Sequence, residues 1–230
     1  MKRFWGNAAA VASGDGFAIE LDGRRVKTPA RADLLVPTTV LAEAMAAEWN
    51  ECGEIVDPRA MPLTGLANAA IDRVSVDKDG FAAGIARYGE SDLTCYRAEG
   101  PDLLVARQSE AWDALLGWAR RRYDVDFACV SGVMHVPQPE ETVRKLVHAV
   151  AALDAFRLAA LSQLVTIGGS LVAGLAVVDE MMPAEGAWEA VSLDDRWQME
   201  HWGADAEAQA ALDARRRDFM AAARFLDLLR

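Results

Sequence analysis

Cysteine and histidine are both scarce in this chain of 230 residues, at three each. Cys52, Cys95 and Cys129 stand far apart and form no CxxC pair. That speaks against a disulfide framework or a thiolate zinc cage and suits a reducing compartment. His135, His148 and His201 have no ligand spacing and make no HExxH, so no metal centre is expected. Neither GxxxxGK[ST] nor GxGxxG occurs, and so no bound nucleotide or other cofactor is expected. A GxSxG nucleophile elbow is missing as well. The start, Met1-Lys2-Arg3-Phe4-Trp5-Gly6, carries charge with no apolar segment behind it, which argues against a secretory signal. Repeats and low-complexity linkers are also missing.

Positive charge is short: 24 Lys and Arg stand against 35 Asp and Glu, a net charge of -11. Such a surface repels phosphate backbones and anionic lipid heads, so nucleic acid and membrane surfaces are poor partners and a basic protein surface is a better one. With 52% hydrophobic and 26% charged residues, a packed core is expected rather than disorder. One long uncharged run, residues 158–178, is long enough to span a bilayer, and Ser170 and Gly174 give it a small-xxx-small pair. Ser162, Gln163, Thr166 and Gly168-Gly169 interrupt it, so the expectation is a helix buried in a helical domain, with Gly169 structural at a close helix contact. A membrane-anchored adaptor using 158–178 stays as an alternative.

The first forty residues predict a meander of short strands. Phe17-Ala18-Ile19-Glu20-Leu21 alternates between the turn signals Gly14-Asp15-Gly16 and Asp22-Gly23, and Leu34-Leu35-Val36 is a further short strand. After Pro37, Leu41, Met45 and Trp49 recur at helical spacing behind Thr38 or Thr39 as cap, which makes Trp49 a structural residue. Helical periodicity returns over 64–74, and a third helix follows Asp77 or Asp79. From about Gln108 the chain reads as mainly helical. Trp112, Leu115 and Ala119 form a buried stripe, with Trp112 structural, and Arg120-Arg121-Arg122 suits a helix C-terminus. Residues 124–130 alternate like a lone strand. Pro139 and Pro183 open further helices, and a last amphipathic helix is expected over 205–229. The fold class is therefore α+β, with a small β-rich N-terminal domain at 1–80 and an all-helical C-terminal domain at 81–230.

The richest polar cluster is Leu193-Asp194-Asp195-Arg196-Trp197-Gln198-Met199-Glu200-His201-Trp202-Gly203. Three readings are open. Asp194, Asp195 and His201 are acid/base groups of an enzyme; or the segment is an exposed charged face over a packed tryptophan; or aromatic anchors beside charges form a binding hot spot.

At this point the chain resembles a known family, the ATP synthase α-subunit assembly chaperones. The resemblance rests on Lys2-Arg3-Phe4-Trp5, on Leu21-Asp22-Gly23-Arg24 leading to Lys27-Thr28-Pro29, and on Glu48-Trp49. It continues through Met61-Pro62-Leu63-Thr64, Ala69-Ala70-Ile71-Asp72, Asp92-Leu93, and Cys95-Tyr96-Arg97-Ala98. Further pieces are Gln108, Trp112-Asp113, Gly169-Ser170, Ala187-Trp188-Glu189, and Gln198 with Trp202-Gly203. The order and spacing of these pieces carry the likeness. The resemblance implies a chaperone, not an enzyme, with a β-rich N-terminal and a helical C-terminal domain. It further implies that the free ATP synthase α subunit is held against aggregation until the β subunit replaces it. The family's acidic motif falls on Asp194 and Asp195, where many members have Glu. The expected partner-binding residues are Asp194, Asp195, Gln198 and Trp202. A monomer acting in a bacterial cytoplasm is expected, since Lys2-Arg3-Phe4-Trp5 begins at once with no transit peptide, while the family is best known from mitochondria.

Overall fold

The turn chemistry of the first forty residues produces the expected meander in the computed structural model, which describes residues 2–203 and 205–230. β1 (Ala8–Ser13) and β2 (Gly16–Leu21) pair antiparallel, from Ala8 opposite Leu21 to Ser13 opposite Gly16. Asp22 and Gly23 both take positive φ, 48° and 78°. That is what a two-residue hairpin loop needs to match strand twist, and it turns β2 onto β3 (Arg24–Arg25). β4 (Leu35–Val36) pairs with the other half of β2. Ile19, Leu21, Leu34 and Val36 are buried here.

α1 (Thr39–Glu51) covers β1 and β2 with Leu41, Met45 and Trp49, the face its spacing predicts. Thr38 caps it, accepting from the Leu41 amide at 3.3 Å. Trp5 packs edge-on to Trp49 at 5.2 Å and donates its indole N–H to the Trp49 carbonyl at 3.1 Å. The Asn50 side chain pairs with both the amide and the carbonyl of Ala8, at 2.7 and 2.8 Å. Glu48 accepts from the Leu63 and Thr64 amides and the Thr64 hydroxyl, which satisfies the first turn of α2 (Pro62–Ala69). A single π turn, Ala70–Val74, continues that helix.

The chain divides into two compact units. One gathers the residues up to Lys78 together with Asp154–Ala160 and Ala221–Arg230, and the other consists of Asp79–Leu153 and Leu161–Met220. In the first, Phe156 stacks on Phe225 at 6.4 Å, and the Thr38 hydroxyl donates to the Leu228 carbonyl.

The second unit is mainly helical. Its elements are α3 (Lys78–Ala86), α4 (Asp102–Tyr123), α5 (Glu140–Ala151), most of α6 (Ala155–Gly168), α7 (Leu171–Val178), α8 (Ala184–Val191), α9 (Leu193–Trp202) and most of α10 (Ala206–Asp227). Two expectations change here. Residues 158–178 do not form one helix: Gly169 takes φ +68°, ends α6, and hands over to Ser170, which caps α7. Asp92 anchors the break. It is fully buried and accepts from the Ser170 hydroxyl at 2.8 Å, the Val172 amide at 2.9 Å, and the Thr94 amide and hydroxyl. Burial still holds its carboxyl above the usual range against those four donors. Gly174 permits the close return of α7, since a Cβ there would lie 2.9 Å from Leu161 and from Val165.

Residues 124–129 are the second difference. Val125 and Phe127 point inward as the alternation suggests. The backbone of the neighbouring residues, however, pairs with side chains: Gln138 bonds the amide and carbonyl of Ala128, and Thr142 bonds those of Asp126. Only β6 (Val130–Ser131) reaches a strand, pairing in parallel with β5 (Tyr96–Arg97). Among the described residues no helix is long and apolar enough to cross a membrane.

Candidate functional site

The polar cluster of the sequence lies on α9, and its residues split between two directions. Asp194 Oδ1 accepts from Gln108 Nε2 at 2.8 Å. Gln108 is 1% exposed, and its Oε1 accepts from the Ala98 amide at 2.8 Å. Both ends of a buried amide are thus occupied, and this fixes its orientation and with it the Asp194 carboxylate. Arg97 donates to the Gln108 carbonyl at 2.8 Å and to Asp113 at 2.7 Å, while its guanidinium lies over the Trp112 ring. Trp112 is fully buried and donates to the Ala190 carbonyl at 2.8 Å. A continuous polar chain therefore ties α9 to α4 and to the strand Tyr96–Arg97.

Asp195 points elsewhere. It pairs with Arg215 at 2.7 Å, and Arg215 in turn reaches the Ile167 carbonyl and the Trp188 ring. His201 lies flat on Trp197, with ring centroids 3.9 Å apart, and its Nδ1 sits 2.9 Å from the Trp197 carbonyl. Asp194, Asp195 and His201 do not converge on a common point, which removes the acid/base geometry that the enzyme reading requires.

What does converge is a groove of about 540 Å³. Its walls are α9 with Asp194, Trp197, Gln198 and Trp202; the front of α4 with Leu104 and Gln108; the 96–101 segment; and Gly132 with Val133. The lining is mostly apolar, with Asp194 and Glu99 as its carboxylates. Trp202 is 79% exposed and Val133 94%, and Leu103 and Met134 are exposed nearby. Large apolar side chains left in water next to a groove are the usual mark of a protein-binding surface. Arg107 ties the rim together, lying over Trp197 at 4.9 Å and pairing with Glu200 at 2.7 Å. A hollow of about 620 Å³ elsewhere in the same unit is lined by Arg122, Arg144, Lys145 and His148. Its three Lys and Arg cations are already neutralised by Asp179, Glu141 and Asp124. No group of three His, Cys, Asp or Glu that could hold a metal occurs among the described residues.

The structure thus brings Asp194, Gln198 and Trp202 to one groove and leaves Asp195 outside it. Sequence reasoning missed Gln108, Leu104, Val133 and Trp197 as lining. Gln108 had a signal: it sits at i, i+4 and i+7 with Trp112 and Leu115, a polar side chain on a buried stripe. The loop residue Val133 had none.

Comparison with known proteins decides the family. The family model described as ATP12 chaperone protein matches residues 2–120, just over half of the chain. The chain belongs to the ATP12 chaperone family. The crystal structure of Atp12 from Paracoccus denitrificans superposes with a TM-score of 0.93 at 41% identity, over 100% of this chain and 98% of that one. A candidate chaperone from Agrobacterium tumefaciens gives 0.94 at 36% identity, over 100% of this chain and 86% of that one. Protein atp12, mitochondrial, of Schizosaccharomyces pombe is 25% identical over 214 residues, 88% of this chain and 74% of the yeast protein. In this ATP12-family chain, the segment matched by the family model carries the groove wall from Tyr96 to Gln108. α9 lies beyond residue 120, within the span of the structural matches.

Proposed function

We propose that this chain is an assembly chaperone of the F-type ATP synthase, which holds the free α subunit until the β subunit takes its place. Membership of the ATP12 chaperone family supports the general role. The observation that supports the place of contact is the groove beside α9, with Asp194 held by buried Gln108 under exposed Trp202. A ring subunit without its neighbours exposes a large apolar interface and is prone to aggregate. A holder of it needs a complementary surface on the order of 1,600 Å² in total. The groove alone is too small, so it acts as the anchor, and Leu103, Val133 and Met134 extend the contact around it. Trp202 supplies apolar area, and Asp194 supplies a charge for a basic side chain of the client. In this reading the holder works as a monomer in the bacterial cytoplasm.

The test is retention of the α subunit from a cell extract on the immobilised chain, identified by mass spectrometry. Asp194→Asn keeps an oxygen for Gln108 and removes only the charge, so it is expected to melt like the parent and to lose client affinity. Truncating one partner of a buried charge pair costs about 2–5 kcal/mol, roughly thirty- to several-thousand-fold. Asp194→Ala is expected to lose both binding and some stability, because it strands the Gln108 amide at about 1–3 kcal/mol. Unchanged binding by Asp194→Asn removes the carboxylate from the site. Failure of the parent chain to retain any α subunit refutes the client assignment.

A further inference from the structure

Three cysteines spread along the sequence suggest no pairing, yet the fold sets two of them side by side. β5 and β6 run parallel, with Tyr96 opposite Val130 and Arg97 opposite Ser131. Cys95, the last residue of the 3-10 turn Leu93–Cys95, and Cys129 each stand one residue before these partners, and the Cys95 thiol lies within hydrogen-bond reach of the Cys129 thiol. Paired strands lie about 4.8 Å apart, so the two backbones that enter this pair side by side stand close together. A disulfide bridges Cα atoms about 4.4–6.8 Å apart. Both backbones are held in place. The Cys95 amide donates to the Asp92 carbonyl at 3.0 Å, and Ala128, next to Cys129, is clasped by Gln138. Cys95 is fully buried, whereas Cys129 is exposed.

We propose that Cys95 and Cys129 are a redox modification site, which a low-molecular-weight disulfide such as oxidised glutathione converts into a reversible internal disulfide. The exposed Cys129 thiolate attacks one sulfur of oxidised glutathione, that disulfide breaks, and one glutathione leaves as thiolate. Cys95 then loses its proton and attacks the Cys129 sulfur, expelling the second glutathione. Two protein thiols are oxidised, one glutathione disulfide is reduced, and the two thiol protons end on the two glutathiones. Burial, with the nearby Asp92 charge and Cys129 itself, holds the Cys95 thiol above the usual range. The second step is therefore the slow one and quickens as pH rises.

The position gives the bond a consequence. Tyr96 and Arg97 follow Cys95, Gly132 and Val133 follow Cys129 closely, and all four line the groove. A covalent clasp at the foot of β5 and β6 stiffens one groove wall. This consequence rests on the groove being the client site; the chemistry of the pair does not.

The test incubates the full chain, unreacted and folded, over a series of reduced to oxidised glutathione ratios. Acid quench, alkylation of the remaining thiols and peptide mass analysis follow. The expected product joins the Cys95 and Cys129 peptides, forms faster at higher pH, reverts with excess reduced glutathione, and leaves Cys52 alkylated. Cys129→Ser is expected to abolish the crosslink and leave Cys95 unmodified. Cys95→Ser is expected to store a glutathione adduct on Cys129. The inference is overturned if the folded parent chain stores that adduct without a crosslink, or forms the crosslink only in denaturant.

Discussion

Gln108 shows how a single buried residue sets a site. Its amide has one acceptor in Asp194 and one donor in Ala98, so neither end is free to turn toward solvent. Asp194 thus meets the groove as an oriented charge rather than a mobile one. The contrast with Asp195 is instructive: adjacent carboxylates on a helix point about 100° apart, so one faces the groove and the other meets Arg215. Trp49 belongs to the packing rather than the site. It is 8% exposed, touches Trp5 edge-on, and its carbonyl receives the Trp5 indole. Trp49→Ala is expected to cost roughly 3–5 kcal/mol, read as a lowered midpoint in denaturant unfolding. An unchanged midpoint would show that the β1–β2 core tolerates the cavity.

At the scale of elements, the junction between α6 and α7 carries the most information. Its sequence is uncharged and apolar, and periodicity alone continues one helix through it. Gly169 stops that helix because it takes a left-handed conformation that costs other residues about 1–2 kcal/mol. Ser170 and buried Asp92 then satisfy the buried amides at the start of α7, which have no partner within the helix. Gly169→Ala is therefore expected to lower stability by about that amount, with no change in helical content by circular dichroism. An Ala variant as stable as the parent would mean that the chain continues as a helix through residue 169. The segment 124–130 teaches the complementary lesson. Its alternation is real, but the side chains of Gln138 and Thr142 take the place of a neighbouring strand, and no local pattern announces such a replacement.

For the whole molecule, the last ten residues matter more than their position suggests. Phe225 and Leu226 are buried within the unit that also holds β1–β4, and Leu228 receives the Thr38 hydroxyl. Deleting 221–230 removes three large buried side chains, Phe225, Leu226 and Leu229, each worth about 2–5 kcal/mol, which is a large share of the roughly 5–15 kcal/mol that holds a domain folded. The truncated chain is expected to lose cooperative melting of the β-rich unit or to aggregate, read by calorimetry and light scattering. A truncation that melts like the full chain would show that α10 adds nothing to that core. The sequence alone determined the β meander and the turns of the first forty residues, a cap at Thr38 or Thr39, and the core face of α1. It did so because hairpin geometry and helical periodicity are written in residues close together in the chain. Sequence resemblance likewise reached the family, through the order of motifs such as Met61-Pro62-Leu63-Thr64. Tertiary structure alone decided that Asp194 and not Asp195 faces the groove, that Gln108 orients it, and that Cys95 meets Cys129. Each of these depends on long-range contacts, which arise only when the hydrophobic faces of separate elements pack and bring distant polar groups together.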